Sequence, residues 1–209
     1  MKLREALAAR RGNMLLDSEV EIDGMYLAGF IRQKNRKEDR IDRRTIDTPE
    51  RVVVMAVRER GWRGQTMTRV TQSENANCAW DLVKSHVSRE AHVYADEHLA
   101  YDELCSLNLL TRVNHSEAFQ HGEDVSTNIV ESFFSRVRRS YRGIHHRLSM
   151  KYMDWYAAEL AWREDLRRKG NRRLTMEMLV RSLMHPTSRN LCGYFQGNKP
   201  KDFDFVWRG

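Results

Sequence analysis

Residues Ser18 to Phe30 read SEVEIDGMYLAGF. Strand-forming residues dominate the stretch and Gly29 bounds it, so it is read as a β-strand. Asp23 falls inside that strand, in otherwise apolar company. A carboxylate buried there without a partner costs several kcal/mol, so Asp23, if buried, needs a partner or a metal. Outward from this strand, Val52 to Val57 (VVVMAV) is a continuous apolar run of the buried-strand type. Gly61 and Gly64 bracket a turn, and Gln65 to Thr71 (QTMTRVT) alternates, which predicts a third strand hairpin-paired with the second. The densely charged stretch between the first two strands, Lys34 to Arg51, has little periodicity and reads as a hairpin or loop.

The second half of the chain alternates between strands and helices. Ala76 to Val87 is helical, with Ala79, Leu82, Val83 and His86 near one face. His92 to Ala95 is a short strand running into Asp96. Tyr101 to Leu110 reads as a short helix, Thr111 to Asn114 as another strand, and Gln120 to Asp124 as a turn. An amphipathic helix follows over Thr127–Tyr141, and a long helix over Ser149–Arg168 that ends at Gly170-Asn171. Its aromatic residues Tyr152, Trp155, Tyr156 and Trp162 read as core. A shorter helix over Leu174–Met184 and an irregular tail from Pro186 to Gly209 complete the chain. Three antiparallel strands followed by strand–helix alternation make an α/β layout with a mixed sheet flanked by helices. This matches the ribonuclease H-like fold, with a helical C-terminal extension.

The composition narrows the function classes. The chain has 209 residues, a net charge of +7, 41% hydrophobic residues and five Trp, which argues against disorder. No apolar run approaches the roughly 20 residues needed to cross a bilayer, so no membrane partner is expected. The N-terminal segment is too charged for a signal peptide and reads as a short helix. Cys78, Cys105 and Cys192 are widely separated and form no C-x-x-C pair. That excludes a disulfide scaffold and a zinc ribbon, and makes a reducing cytoplasm the default compartment. The charge is unevenly placed: Arg136 to Arg173 holds twelve Lys/Arg against four Asp/Glu, whereas Asp81 to Glu103 holds two against six. An acidic patch beside a basic stripe suits a metal-dependent enzyme working on a phosphate backbone, and solvated helix faces would show the same counts.

Three acids occur in an order that carries chemistry. Asp23 lies within a strand, Asp96 at the carboxyl end of another, where ligands collect in open α/β sheets, and Glu131 on the helix after the last strand. Such a set can hold two divalent ions that activate the attacking oxygen and steady the leaving one in phosphoryl transfer. Oxygen ligands point to Mg²⁺, with Mn²⁺ as a substitute, and not to zinc. On the Thr127–Tyr141 helix, Ile129, Val130, Phe133, Phe134, Val137 and Tyr141 share one face at ~100° per residue. Asn128, Glu131, Ser135, Arg138 and Arg142 share the other, with Glu131 and Arg138 nearly eclipsed along the axis. Structural alternatives stand beside this reading: Asn128 as N-cap of a capping box with Glu131, Asp23 as a salt-bridged strand acid, Asp96 as an ordinary helix cap. His115, His121, His145 and His146 fit no standard ligand spacing.

Five ordered blocks carry a resemblance. Glu21 to Gly29 (EIDGMYLAG) resembles the "E-x-D-E-T-Y-x-G-G" strand of ISXO-like bacterial insertion-sequence transposases, and Asp96 to Tyr101 (DEHLAY) their "T-D-x-x-x-x-Y" segment. Val113 to Glu117 (VNHSE) is similar to "V-N-H-S-E", Asn128 to Ser135 (NIVESFFS) to "N-T-I-E-S-F-W-S", and Ser149 to Arg163 to the terminal "S-x-K-x-L-x-x-Y-x-x-E-F-x-x-R" block. The resemblance implies a D-D-E catalytic core over residues 17–170, preceded by a lead helix (1–16) and followed by a C-terminal helix and tail (171–209). Asp23 and Asp96 would be the first two acids. The family is described with Asn or Glu at the third position, so Asn128 and Glu131 are both candidates, and Glu131 is favoured as the metal ligand for its carboxylate. Arg138, Arg139, Arg142 and Lys151 would contact DNA phosphates. The implied activity is metal-dependent cleavage at element ends and strand transfer into target double-stranded DNA, by a homodimer or higher oligomer in the bacterial cytoplasm. The alternatives are a catalytically inactive DNA-binding remnant and a structure-selective ribonuclease H-like nuclease. Three departures stand out: Gly24 replaces the usual Glu, Arg138 the usual Lys, and the 22 residues before Asp23 contain no Cys pair for the family's usual N-terminal zinc ribbon.

Overall fold

A computed structural model describes residues 1–9, 11–27, 38, 51–113, 127–145, 148, 150–186 and 191. The expectations for Lys34–Arg51, for the turn at Gln120–Asp124 and for the tail after Pro186 lie largely or wholly outside these residues. Five strands are present among them: β1 (Glu19–Leu27), β2 (Val52–Glu59), β3 (Thr66–Thr71), β4 (His92–Asp96) and β5 (Leu109–Val113). They form a single sheet in the order β3-β2-β1-β4-β5. β1, β2 and β3 pair antiparallel, while β4 and β5 run parallel to β1. The described residues also form five α-helices, α1 (Lys2–Ala9), α2 (Ala76–His86), α3 (Asn128–Arg139), α4 (Met153–Leu166) and α5 (Asn171–Leu183). This is the mixed α/β sheet flanked by helices of a ribonuclease H-like fold.

The period-2 alternation of strands builds two cores on the two faces of the sheet. β2 is buried along its whole length, as its unbroken apolar run predicts. Val53, Met55 and Val57 face Ala79, Leu82 and Val83 of α2. Val52, Val54 and Ala56 face Val130, Phe133, Phe134 and Val137 of α3 and Met153, Ala157 and Ala161 of α4. Those four α3 residues belong to the apolar face anticipated from the helical wheel. On β1 the same alternation sends Val20 and Ile22 to the α2 side and Met25 and Leu27 to the α3 side. Glu21 and Asp23 share the α3 side by parity. α1 closes the end of the bundle, with Leu7 packed on Trp162 and Leu166 of α4.

Several boundaries differ from expectation. The helix expected over Tyr101–Leu110 is a 3-10 helix over Leu99–Ser106, and β5 starts at Leu109, because the parallel ladder with β4 pairs His92 with Leu109 and Val93 with Leu110. α5 starts at Asn171, directly after its N-cap Gly170, whose φ of 79° lies in the region that favours glycine.

The β2–β3 hairpin carries a steric constraint. A Cβ on Gly64 would stand 2.2 Å from the backbone oxygen of Glu59, which is itself fixed in the β1–β2 ladder. Gly64→Ala is therefore expected to destabilise the fold by about 2 kcal/mol. At roughly 2–4 °C per kcal/mol for a chain of this size, a melting curve would show a drop of several degrees.

Candidate active site

The parallel β1–β4 register pairs Ile22 with Ala95. Asp23 and Asp96, one residue further along each strand, therefore stand side by side. Asp96 ends β4, at the carboxyl end of the strand, where α/β proteins gather ligands. Glu131 lies in the first turn of α3, which packs on the β1 face that carries Asp23. Burial, reinforced by the negative charges of Glu74, Asp96 and Glu131, pushes the Asp23 carboxyl up to about 7. The Gly24 N–H, donating to Asp23 Oδ1 at 2.7 Å, opposes that shift. Asp96 accepts from the Glu97 N–H, and the cap of the following 3-10 helix is His98, whose Nδ1 accepts from the Ala100 N–H at 3.2 Å. The reading of Asp96 as that cap is thereby corrected.

The capping box at the start of α3 does not form either. Thr127, not Asn128, is the N-cap residue, and its hydroxyl donates to Glu131 Oε1 at 3.1 Å. The first-turn N–H groups of Ile129 and Val130 donate instead to one oxygen of Glu21, both at 2.9 Å. Glu21 is 1% exposed, and its other oxygen accepts from Arg60 Nε at 3.0 Å. A buried carboxylate against a helix N-terminus satisfies otherwise orphaned donors and the helix dipole together. It outcompetes a local cap because β1 brings it into place from the other side of the chain. Burial raises the pKa of Glu21, and the Val130 N–H, Arg60 and Ile129 N–H work against that rise. Glu21 thus sets where the helix bearing Glu131 begins. The sequence signal was available, since Glu21 lies two residues from Asp23 and shares its strand face. Glu21→Ala is expected to cost about 2–3 kcal/mol, readable as a shifted urea midpoint.

Asn128, the other candidate for the third position, lines a cavity of about 340 Å³ beside the β2–β3 turn with Trp62, Ser132, Arg136, Arg167 and Arg168. Arg138, Arg139 and Arg142 are exposed, as phosphate contacts would be, and the Lys151 side chain lies outside the described residues. His115, His121 and His146 lie outside them too. One further acid escaped the sequence reading. Glu74, in the turn between β3 and α2, brings its carboxylate against Gly24 and accepts a hydrogen bond from the buried Tyr101 phenol. A single acid in a turn has no periodicity to betray it.

The order of strands and acids, the parallel juxtaposition of Asp23 with Asp96 and the helical third acid are the frame on which the family comparison bears. The model of the ISXO2-like transposase domain matches residues 14–165. The chain belongs to this family. Searches of curated proteins and of solved structures returned no match. As a DDE-type transposase domain, it has DNA as its implied substrate, and its family generally works with divalent metals such as Mg²⁺. No helix among the described residues is long and apolar enough to cross a membrane.

The acids of this transposase have the donor chemistry that such an ion takes. The donors are hard carboxylate oxygens, and the charges of three neighbouring acids bear on a half-buried Asp23. Among the described residues no three His, Cys, Asp or Glu side chains converge closely enough to grip an ion by themselves, with Glu131 engaged by Thr127.

Proposed function

We propose that this transposase cleaves DNA at element ends and joins the freed 3′-OH to target DNA, with Asp23, Asp96 and Glu131 holding one or two Mg²⁺ ions. The observation that carries the reading is the placement of Asp23 beside Asp96 on adjacent parallel strands, with the charge of Glu131 reaching the same carboxyl. When bound, divalent ions polarise the attacking and leaving oxygens of an in-line phosphoryl transfer. The protein's part is to hold the acids in register. β1 and β4 fix the two aspartates through their backbone ladder, and Glu21 fixes the start of α3 and with it Glu131. Arg138 lies seven residues, about two turns, beyond Glu131. With Arg139 and Arg142 it presents cations that would position the phosphate backbone without reading sequence. Lys151 is the fourth candidate phosphate contact.

The test combines purified protein, Mg²⁺ and pre-cleaved element-end DNA, with Asp96→Ala as the comparison. Strand transfer by the wild type, reduced at least a hundredfold in the variant, is expected. Equal transfer by both proteins would sink the assignment of Asp96. Salt-sensitive DNA binding with no joining would instead support a non-catalytic remnant, and nicking of branched DNA without joining would support a nuclease.

A further inference from the structure

The carboxylate of Glu74 stands where a side chain at position 24 would otherwise begin. A Cβ placed on Gly24 would lie 2.6 Å from the Glu74 carboxyl carbon, 2.6 Å from one oxygen and 2.8 Å from the other. Gly24 immediately follows Asp23. Glu74 comes from elsewhere, namely the turn that joins β3 to α2. Its side chain is only 6% exposed. The phenol of Tyr101, fully buried, donates to it, and Tyr26 of β1 is hydrogen-bonded to it as well. His98 Nδ1 lies 4.0 Å away. Tyr101 and His98 both belong to the segment that follows Asp96. Glu74 therefore joins the part of β1 next to Asp23 to the segment next to Asp96.

Resting on the metal-holding reading of Asp23 and Asp96, we propose that Glu74 is a positioning residue of the acid site. From the β3–α2 turn it sets a carboxylate over Gly24, next to Asp23, and through Tyr101 it holds Asp96 beside Asp23. The two positions compete for one place. A side chain at position 24 would displace the Glu74 carboxylate from over β1, and two carboxylates held there together would repel.

Four proteins test this: wild type, Glu74→Ser, Gly24→Glu and the double variant Gly24→Glu/Glu74→Ser. Mn²⁺ binding is measured by calorimetric titration without DNA, alongside melting curves. Glu74→Ser is expected to bind Mn²⁺ about tenfold more weakly. Gly24→Glu alone is expected to melt at lower temperature, because it displaces the Glu74 carboxylate from Tyr101 and Tyr26. The double variant is expected to return Mn²⁺ affinity to within about threefold of wild type, a rescue that a purely structural role for Glu74 would not give. Unchanged Mn²⁺ affinity in Glu74→Ser, or a double variant no better than Glu74→Ser, overturns the proposal, as does a wild type that binds no Mn²⁺. Should Glu74→Ser not fold, Glu74→Gln replaces it, because the amide still accepts from Tyr101. About threefold weaker binding is then expected, and wild-type affinity overturns the proposal. Because no DNA is present, failure of all four proteins in strand transfer would count against the transposition reading alone.

Discussion

Replacing Asp23 by Asn is expected to act in opposite directions on activity and on stability. Strand transfer with Mg²⁺ should fall at least a thousandfold, because the amide cannot supply the anionic oxygen that a hard divalent ion requires. The metal-free protein should at the same time become more stable at pH 8. The Asp23 carboxyl is held up to about 7 in the fold, against an ordinary 3.8. Between those values the folded protein binds a proton that the unfolded chain has released, so stability falls as pH rises through that window. The loss is on the order of 2–4 kcal/mol, and the Asn variant escapes it. Melting curves of both proteins from pH 4 to pH 8 without metal should coincide at the acid end and separate at the alkaline end, the variant melting higher. Saturating Mg²⁺ should close the gap by stabilising only the wild type. Parallel curves across the range would show that Asp23 carries no such strain.

The largest stability loss is expected from Glu164→Ala. Glu164 in α4 accepts from Arg136 Nη2 at 2.8 Å and from Arg58 Nη2 at 3.3 Å, and Arg167 lies 3.9 Å away. Next to it Asp165 receives Arg11 at 2.9 Å. Arg58 is buried, and burial depresses its pKa, with Glu164 and Asp165 opposing the shift and Arg136 adding to it. Removing Glu164 leaves Arg58 and Arg136 facing one another with one acid fewer between them. Breaking a buried pair in this way costs about 3–5 kcal/mol, equivalent to roughly 6–20 °C of melting temperature at this chain length. Adding Arg58→Met should recover part of the loss, because an apolar side chain carries no charge to leave uncompensated. A loss below about 1 kcal/mol would mean that water takes over the role of Glu164.

Both sites show which parts of the molecule were legible in the sequence. The strand β2 was, because six consecutive apolar residues with no breaker admit few other placements, and the structure buries all of them. The core face of α3 was, because a 3.6-residue period is a local property of the chain. The order of Asp23, Asp96 and Glu131 along alternating strands and a helix was also legible, and it is what the resemblance rests on. Glu21 was quoted in the strand without a role, and Asn128 was offered as the cap that Glu21 in fact provides. Glu74 went unnoticed. The pairing of Arg58 with Glu164 spans 106 residues, and nothing in either neighbourhood announces it.

By itself, then, the sequence determined what local periodicity and chain order can encode: five strands in their order, the helices between them, their buried faces, and a transposase-like series of acids. Tertiary structure decided the partner of each buried charge. A carboxylate's energy depends on which donors lie within a few ångströms of it, and those donors arrive from distant segments. That is why Glu21 caps a helix more than 100 residues away, and why the space left by Gly24 is filled by Glu74.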